Sequence, residues 1–312
     1  MKGKDLLSAG DLAADDIWRI IDRAVELKRQ GASSILDGIS LALLFEKPSL
    51  RTRVSFDIAM HQLGGHSVYL SQSEVGLGSR ESIADVARTL SRYVNIIAAR
   101  TFAHATLESL AEHAAVPVIN ALSDREHPCQ ALGDLLTIYE KKARLDGLTI
   151  AFIGDGNNVA SSLLLASALA GVNFKIASPE GYGISDEISG MGRQIARSNV
   201  NILLVGQPRE AVEGADVVYT DVWTSMGQEA ESEQRRKAFA GYQVNSELLA
   251  LAEEDAILMH PLPAHYGEEV AEGVIDSAQS VVFDQAENRM HLQKALLADM
   301  LGGLELPLMK YD

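Results

Sequence analysis

The feature that most constrains this chain is an alternation between short strand-like runs and longer stretches with helical spacing of apolar positions. The runs are "LALLFE", "VNIIAA", "VPVINA", "LTIAFIG", "NFKIAS", "DVVYTD", "DAILMH" and "SVVFDQ". A parallel strand is reached only through a crossover long enough to hold a helix, so this alternation specifies an α/β fold with parallel sheets covered by helices. Residues 15–30, "DDIWRIIDRAVELKRQ", place Ile17, Ile20, Ile21, Ala24 and Leu27 on one helical face, with acid first and base last as the helix dipole favours.

A chain of 312 residues has room for two such sheets. The segment "CQALGDLLTIYEKKARLDG" reads as a helix ending at Gly147, just before the strand "LTIAFIG", and is the natural bridge between two α/β domains. The expected domains are 1–136 and 137–287, with a last helix within 288–312 packing back on the first. No internal repeat and no low-complexity linker interrupts this division.

The formal net charge of -16 disfavours general attraction to nucleic acid or to an anionic membrane, so any basic cluster has to be local and specific. The opening "MKGKDLLSAGDLAADD" has no apolar run, and "SSLLLASALAGV" is too short for a bilayer span, which leads us to expect a cytoplasmic protein without membrane contact. The single cysteine, Cys129, allows no intrachain disulfide and fits a reducing compartment.

Against that acidic background, "FEKPSLRTRVSF" gathers Lys47, Arg51 and Arg53 with Ser49 and Thr52 where a buried strand hands over to a helix. Free backbone N–H groups, two hydroxyls and a forked guanidinium there make an anion cradle. It is no nucleotide P-loop, because the glycines of GxxxxGK[ST] are absent. "REHPCQ" offers His127 to polarise a carbonyl and Gln130 to accept from an amide N–H. Arg100 ends the strand of "AARTF", where a surface salt bridge is the ordinary alternative. "FIGDGNNVASSL" matches only the first two glycines of a dinucleotide fingerprint, with Val159 in the third place; Asn158 can bind a small polar ligand, and helix capping by asparagine competes with that reading.

Further along, "YTDVWTSMGQE" carries Asp221, Ser225 and Met226, suited to an ammonium and a carboxylate or, equally, to capping the next helix. "MHPLPAHYGEEV" is a proline-fixed turn in which Leu262–Pro263 is a candidate cis peptide. "DQAENRMH" puts Arg289 at a helix start. No His, Asp and Glu set has metal-ligand spacing, since two prolines separate His260 from His265. Nearly every cluster follows a strand, so several of them are expected to converge at the carboxyl ends of parallel sheets.

Together these motifs resemble the aspartate and ornithine carbamoyltransferases, and the ornithine branch most closely. "SLRTR" is similar to the carbamoyl-phosphate signature S-T-R-T-R, "HPCQ" to H-P-x-Q and "DVWTSMG" to the ornithine loop D-x-W-x-S-M-G, in the family's order along nearly the whole chain. The resemblance implies that Ser49, Leu50, Arg51 and Thr52 cradle phosphate, and that Thr52, Arg100 and His127 bind the carbamoyl oxygen. Gln130 would hold its nitrogen, and Arg289 the phosphate end. Asn158, Asp221, Ser225 and Met226 would hold the α-amino and α-carboxylate groups of L-ornithine, with Pro261 and Leu262 at the reacting amine. It further implies a carbamoyl-phosphate-binding first domain and an ornithine-binding second one, an active site in the cleft between them, and a homo-oligomer built on trimers. No cofactor and no metal are implied, and the product is L-citrulline, on the route to arginine. The attacking amine must be neutral, so activity is expected to rise toward alkaline pH.

Three positions depart from the family pattern. Pro261 stands where "HCLP" has cysteine, giving the "HPLP" of the aspartate enzymes; Leu50 replaces a threonine; and the glutamine contributed by a neighbouring subunit falls on Gly76, with Arg80 as the substitute. The rivals are aspartate, putrescine or an acylated ornithine as acceptor, a nucleotide-binding dehydrogenase resting on "GDGNN", and a non-catalytic paralogue. The acidic "DVWTSMGQE" stands against aspartate, which would need a basic loop.

Overall fold

The computed structural model describes residues 1–225 and 227–302. The chain divides into two compact units, one made of residues 1–136 with the described chain from Glu287 onward, the other of Thr137–Ala286.

In the first unit β1 (Ser40–Phe45), β2 (His66–Ser71), β3 (Ile96–Arg100) and β4 (Val118–Leu122) form a wholly parallel sheet in the order β2-β1-β3-β4. Ala42, Leu44, Ile97, Ala99 and Val118 share a core with Leu77, Val86, Ala87, Leu107 and Leu110 from the loops and helices laid on one face. The second unit holds β5 (Thr149–Ile153), β6 (Asn173–Ala177), β7 (Ile202–Val205), β8 (Val217–Thr220) and β9 (Ile257–Met259) in the parallel order β7-β6-β5-β8-β9. This is the α/β architecture with two parallel sheets that the alternating pattern specifies.

Both orders reverse direction once, between β1 and β3 in the first sheet and between β5 and β8 in the second. At such a switch point the loops leaving the two strands diverge, which opens a ligand crevice at the carboxyl edge of the sheet. The basic cluster follows β1 and Arg100 ends β3; the glycine–asparagine loop follows β5 and Asp221 follows β8. These four clusters therefore stand at the two switch points, whereas His127 follows the edge strand β4 and the turn 260–263 follows the edge strand β9.

Several elements differ from the sequence expectations. "SVVFDQ" is not a strand: a lone bridge joins Ser280 to Leu258, and a helix, Val282–Leu301, begins at once. A short apolar run serves a buried helix as well as a strand, and here Gln285 N already donates to Val281 O. Arg289 consequently lies seven residues past that start, about two turns inside the helix rather than at its N-terminus. The helix expected to reach Gly147 spans Pro128–Lys142 and stops where Ala143 takes a φ of 57°. Two strands, β2 and β7, escaped the sequence pattern. Both are sheet edges, where Val68, Leu203 and Leu204 stay exposed and the polar and apolar residues do not form a buried run.

Candidate active site

In the first unit Ser49 is the N-cap of the helix Leu50–Gln62, its Oγ accepting from Thr52 N at 3.3 Å. Thr52 is fully buried, and its Oγ1 accepts from Arg289 Nη2 at 2.9 Å. Arg289 thus reaches the cradle from the helix Val282–Leu301, which packs against Gly133.

Arg100, at the end of β3, is buried and has no carboxylate partner among the described residues, so it is not the surface salt-bridge residue that an isolated strand-end arginine often is. Burial, then the charges of Arg289 and Arg51, push it down to about 10. His127 lies in the turn after β4 and is held well below 6.5, first by burial and then by Arg289, Arg100 and Lys47. It is a neutral imidazole at physiological pH, able to donate a hydrogen bond to a carbonyl without carrying charge. Gln130 is buried and donates from Nε2 to Asp134 Oδ1 at 2.8 Å, which leaves Oε1 to accept. Lys47 is buried too; its ammonium sits 5.1 Å from the centre of the Phe102 ring, and burial lowers its pKa. These cations, with one neutral imidazole among them, form a cluster that favours an anion.

In the second unit the β5 loop places two asparagines in sequence with different tasks. Asn157 is the N-cap of the helix Asn158–Ala170, its Oδ1 accepting from Val159 N and Ala160 N. Its Nδ2 donates to Asp221 Oδ2 at 2.8 Å. Capping and site-building therefore fall to Asn157, which the sequence reading passed over, while Asn158 takes the first helical position. Asp221 also accepts from Val222 N, and its burial raises the carboxyl pKa. Neither Asp221 nor Ser225 caps the following helix Ser232–Ala238, whose N-cap is Glu231. Ser225 instead closes a small turn with Gln228 through Ser225 N to Oε1 at 3.1 Å. Met226 lies outside the described residues.

The turn after β9 is built around His260. Its backbone N–H donates to Gln285 Oε1, its Nδ1 accepts from Leu262 N at 2.9 Å and its Nε2 faces Glu269 Oε1 at 3.0 Å. These partners fix the proton on Nε2 and aim the Leu262 backbone, which is held at a φ of 54° before a cis bond to Pro263. Pro261 is half-buried beside it. His265, Glu268 and Glu269 bring ligand-type atoms within 4.8 Å of one another, a grouping that the sequence spacing did not suggest. Hydrogen bonds account for it: Glu269 accepts from His265 N as well, and Glu268 pairs with Arg236.

Two of the departing positions have a visible local reason. Leu50 is 74% exposed, so its side chain contributes no contact to the cradle. Gly76 sits at a φ of 64°, and a Cβ there would meet that of Arg80 at 2.7 Å; Arg80 itself is exposed and pairs with Glu81.

This chain matches two family models in tandem: residues 4–140 match the aspartate/ornithine carbamoyltransferase carbamoyl-P binding domain, and residues 146–300 the Asp/Orn binding domain of the same family. The chain belongs to the aspartate/ornithine carbamoyltransferase family. Among relatives, it is 51% identical over 306 residues to the ornithine carbamoyltransferase of Anoxybacillus flavithermus, covering 96% of this chain and 98% of that one. Among solved structures, the ornithine carbamoyltransferase from Pyrococcus furiosus superposes with a TM-score of 0.93 at 50% identity, over 97% of this chain and 99% of that one. The enzyme of the same name from Thermus thermophilus gives 0.88 at 47% identity, over 96% and 100%. Among the described residues no helix is long and apolar enough to cross a membrane.

Proposed function

We propose that the protein is an ornithine carbamoyltransferase, moving the carbamoyl group of carbamoyl phosphate to Nδ of L-ornithine to give L-citrulline and phosphate. The observation that carries the choice of acceptor is Asp221. A buried carboxylate held by Asn157 and Val222 at the β5/β8 switch point, with no basic residue among Asp221–Ser225, favours an ammonium group and disfavours the second carboxylate of aspartate.

Carbamoyl phosphate is taken by the first unit, residues 1–136 with the last helix, and ornithine by the second. The turn N–H groups of Ser49–Thr52 with Arg51 hold the phosphate, and Arg289, positioned by Thr52, holds its ester side. Arg100 and neutral His127 donate to the carbamoyl oxygen. Gln130 Oε1 accepts from the carbamoyl amide, its orientation set by Asp134. Asn158, Asp221, Ser225 and Met226 take the α-amino and α-carboxylate groups, and the Leu262 carbonyl beside Pro261 receives an N–H of the δ-amine.

As neutral Nδ attacks the carbonyl carbon, the negative charge moves onto the carbamoyl oxygen. Arg100 and His127 are already in place to meet it, so little reorganisation is required. Collapse of the tetrahedral species breaks the C–O bond to phosphate, whose growing charge is met by Arg51 and Arg289. The amine proton leaves with the phosphate or to solvent, which requires no thiolate at position 261.

We place the protein in the cytoplasm, on the biosynthetic route to arginine, as a homotrimer or a multiple of one. The row Leu50, Val54 and Ile58, exposed at 74%, 48% and 37% along one side of the helix Leu50–Gln62, supports burial of that face against another copy. Substitution tests the two half-sites separately. Arg51→Ala is expected to abolish carbamoyl-phosphate binding, and Asp221→Asn to raise the KM for ornithine steeply while sparing that binding. Unchanged carbamoyl-phosphate affinity in Arg51→Ala overturns the assignment of the cradle.

A further inference from the structure

Behind the amino-acid half-site lies an ion pair to which the reaction assigns no part. Arg235, on the helix Ser232–Ala238, is buried, and its Nη1 donates at 2.9 Å both to Asp155 Oδ2 and to the backbone oxygen of Trp223. Its Nε donates to Glu231 at 3.2 Å, and the guanidinium carbon lies 5.0 Å from the centre of the Tyr182 ring. Asp155 stands in the β5 loop two residues before Asn157, and Trp223 stands in the β8 loop between Asp221 and Ser225. A single guanidinium thus fastens the two loops that carry the ornithine-binding residues.

Each loop is braced at the point where the guanidinium grips it. Gly156 packs so tightly on Gly183–Ile184 that a Cβ would meet Ile184 N at 2.2 Å, and the Trp223 ring stacks on Phe239 at 5.6 Å. At the tip Ser225 N donates to Gln228 Oε1, and Gln228 O accepts from Glu231 N at 2.9 Å, which ties the tip to the N-cap of the helix that carries Arg235.

We propose that Arg235, through Asp155 and the Trp223 carbonyl, is a positioning residue that sets the spacing of Asn157–Asn158, Asp221 and Ser225 and thereby the affinity for the amino-acid portion of the acceptor. It touches neither substrate. The inference rests on the ornithine reading of this half-site. Burial raises the Asp155 carboxyl to about 6 against the opposing charge of Arg235, with Asp221 and Glu231 adding to the rise, so the pair is lost in mildly acid solution.

The test uses full-length Arg235→Lys and Asp155→Asn, with steady-state kinetics and calorimetric binding of L-norvaline, the ornithine skeleton without its δ-amine. Norvaline removes the titration of the attacking amine from the measurement. Both variants are expected to weaken norvaline binding and raise the ornithine KM by roughly ten- to a hundredfold, the size of one charge-assisted hydrogen bond. Carbamoyl-phosphate affinity should stay unchanged, and the double variant should be no worse than either single one, as expected for two residues of one device. Norvaline binding to the unsubstituted protein should weaken as pH falls through about 6, and Asp155→Asn should flatten that limb. Unchanged norvaline affinity in both variants, or an equal loss of carbamoyl-phosphate affinity, overturns the proposal. Absence of ornithine turnover and norvaline binding in the unsubstituted protein overturns instead the functional reading beneath it.

Discussion

Arg289 Nη2 donates to Thr52 Oγ1 at 2.9 Å, joining positions 237 apart in the chain. The bond holds a guanidinium from the last helix against the turn that opens the helix Leu50–Gln62, inside one compact unit. Thr52→Val keeps the shape and removes the acceptor. It is expected to lower folding stability by about 1–3 kcal/mol. The KM for carbamoyl phosphate should rise by about tenfold, since one hydrogen bond then fails to orient the arginine. Thr52→Ser should restore both, and initial rates with urea unfolding check the pair.

Lys294 is fully buried, and its Nζ donates to Leu27 O, Gly31 O and Gln62 Oε1 at 3.0–3.1 Å. One ammonium therefore satisfies carbonyls at the end of the helix Ala14–Gln30 and ties that end to the last helix. Lys294→Met should cost about 1–3 kcal/mol by denaturant unfolding, because Gly31 O and Gln62 Oε1 lose the ammonium donor and Leu27 O keeps only the Gly31 N–H.

The neutral state of His127 has a stability signature with a fixed sign. The unfolded chain takes up its proton near 6.5, whereas the folded site does not until well below that value. In the window between those two values the unfolded state binds more protons, so this residue's contribution is lost as pH falls below 6.5. Urea titrations should show the unsubstituted protein losing stability relative to His127→Asn on acidification, by at most about 1.4 kcal/mol per pH unit. A difference independent of pH contradicts the assignment of a neutral imidazole.

Cys129 is buried in the helix Pro128–Lys142, and burial pushes its thiol up to about 12. The thiolate is the reactive form, so a thiol reagent at pH 8 should leave the folded protein unlabelled and label one site per chain after denaturation. Retained activity after reagent treatment of the folded protein is the parallel readout.

The central strands were legible because burial on both faces leaves apolar runs; the edges β2 and β7 were not, because one side of each stays exposed. Site residues that follow strands were found for a similar physical reason: Ser49, Arg100, His127 and Asp221 break abruptly from the apolar runs before them. Partners supplied by helices and distant turns carry no such contrast. Arg289, two turns inside a helix, was misplaced, and Asp155, Asn157, Arg235 and Glu269 read as ordinary polar residues until the fold brought them together. The two adjacent asparagines show the limit most sharply. Which one caps the helix and which one takes its first position depends on a single backbone turn that composition does not encode.

The central claim is the identity of the acceptor, and the most direct measurement is competition. The purified protein is given carbamoyl phosphate labelled at its carbonyl carbon, with equimolar L-ornithine, L-aspartate and putrescine at pH 7 to 9, and the labelled products are resolved. The account predicts citrulline almost alone, forming faster as pH rises and the δ-amine loses its proton. Carbamoyl aspartate as the main product would contradict it, and would mean that the "HPLP" turn outweighs the acidic loop at Asp221 in choosing the acceptor.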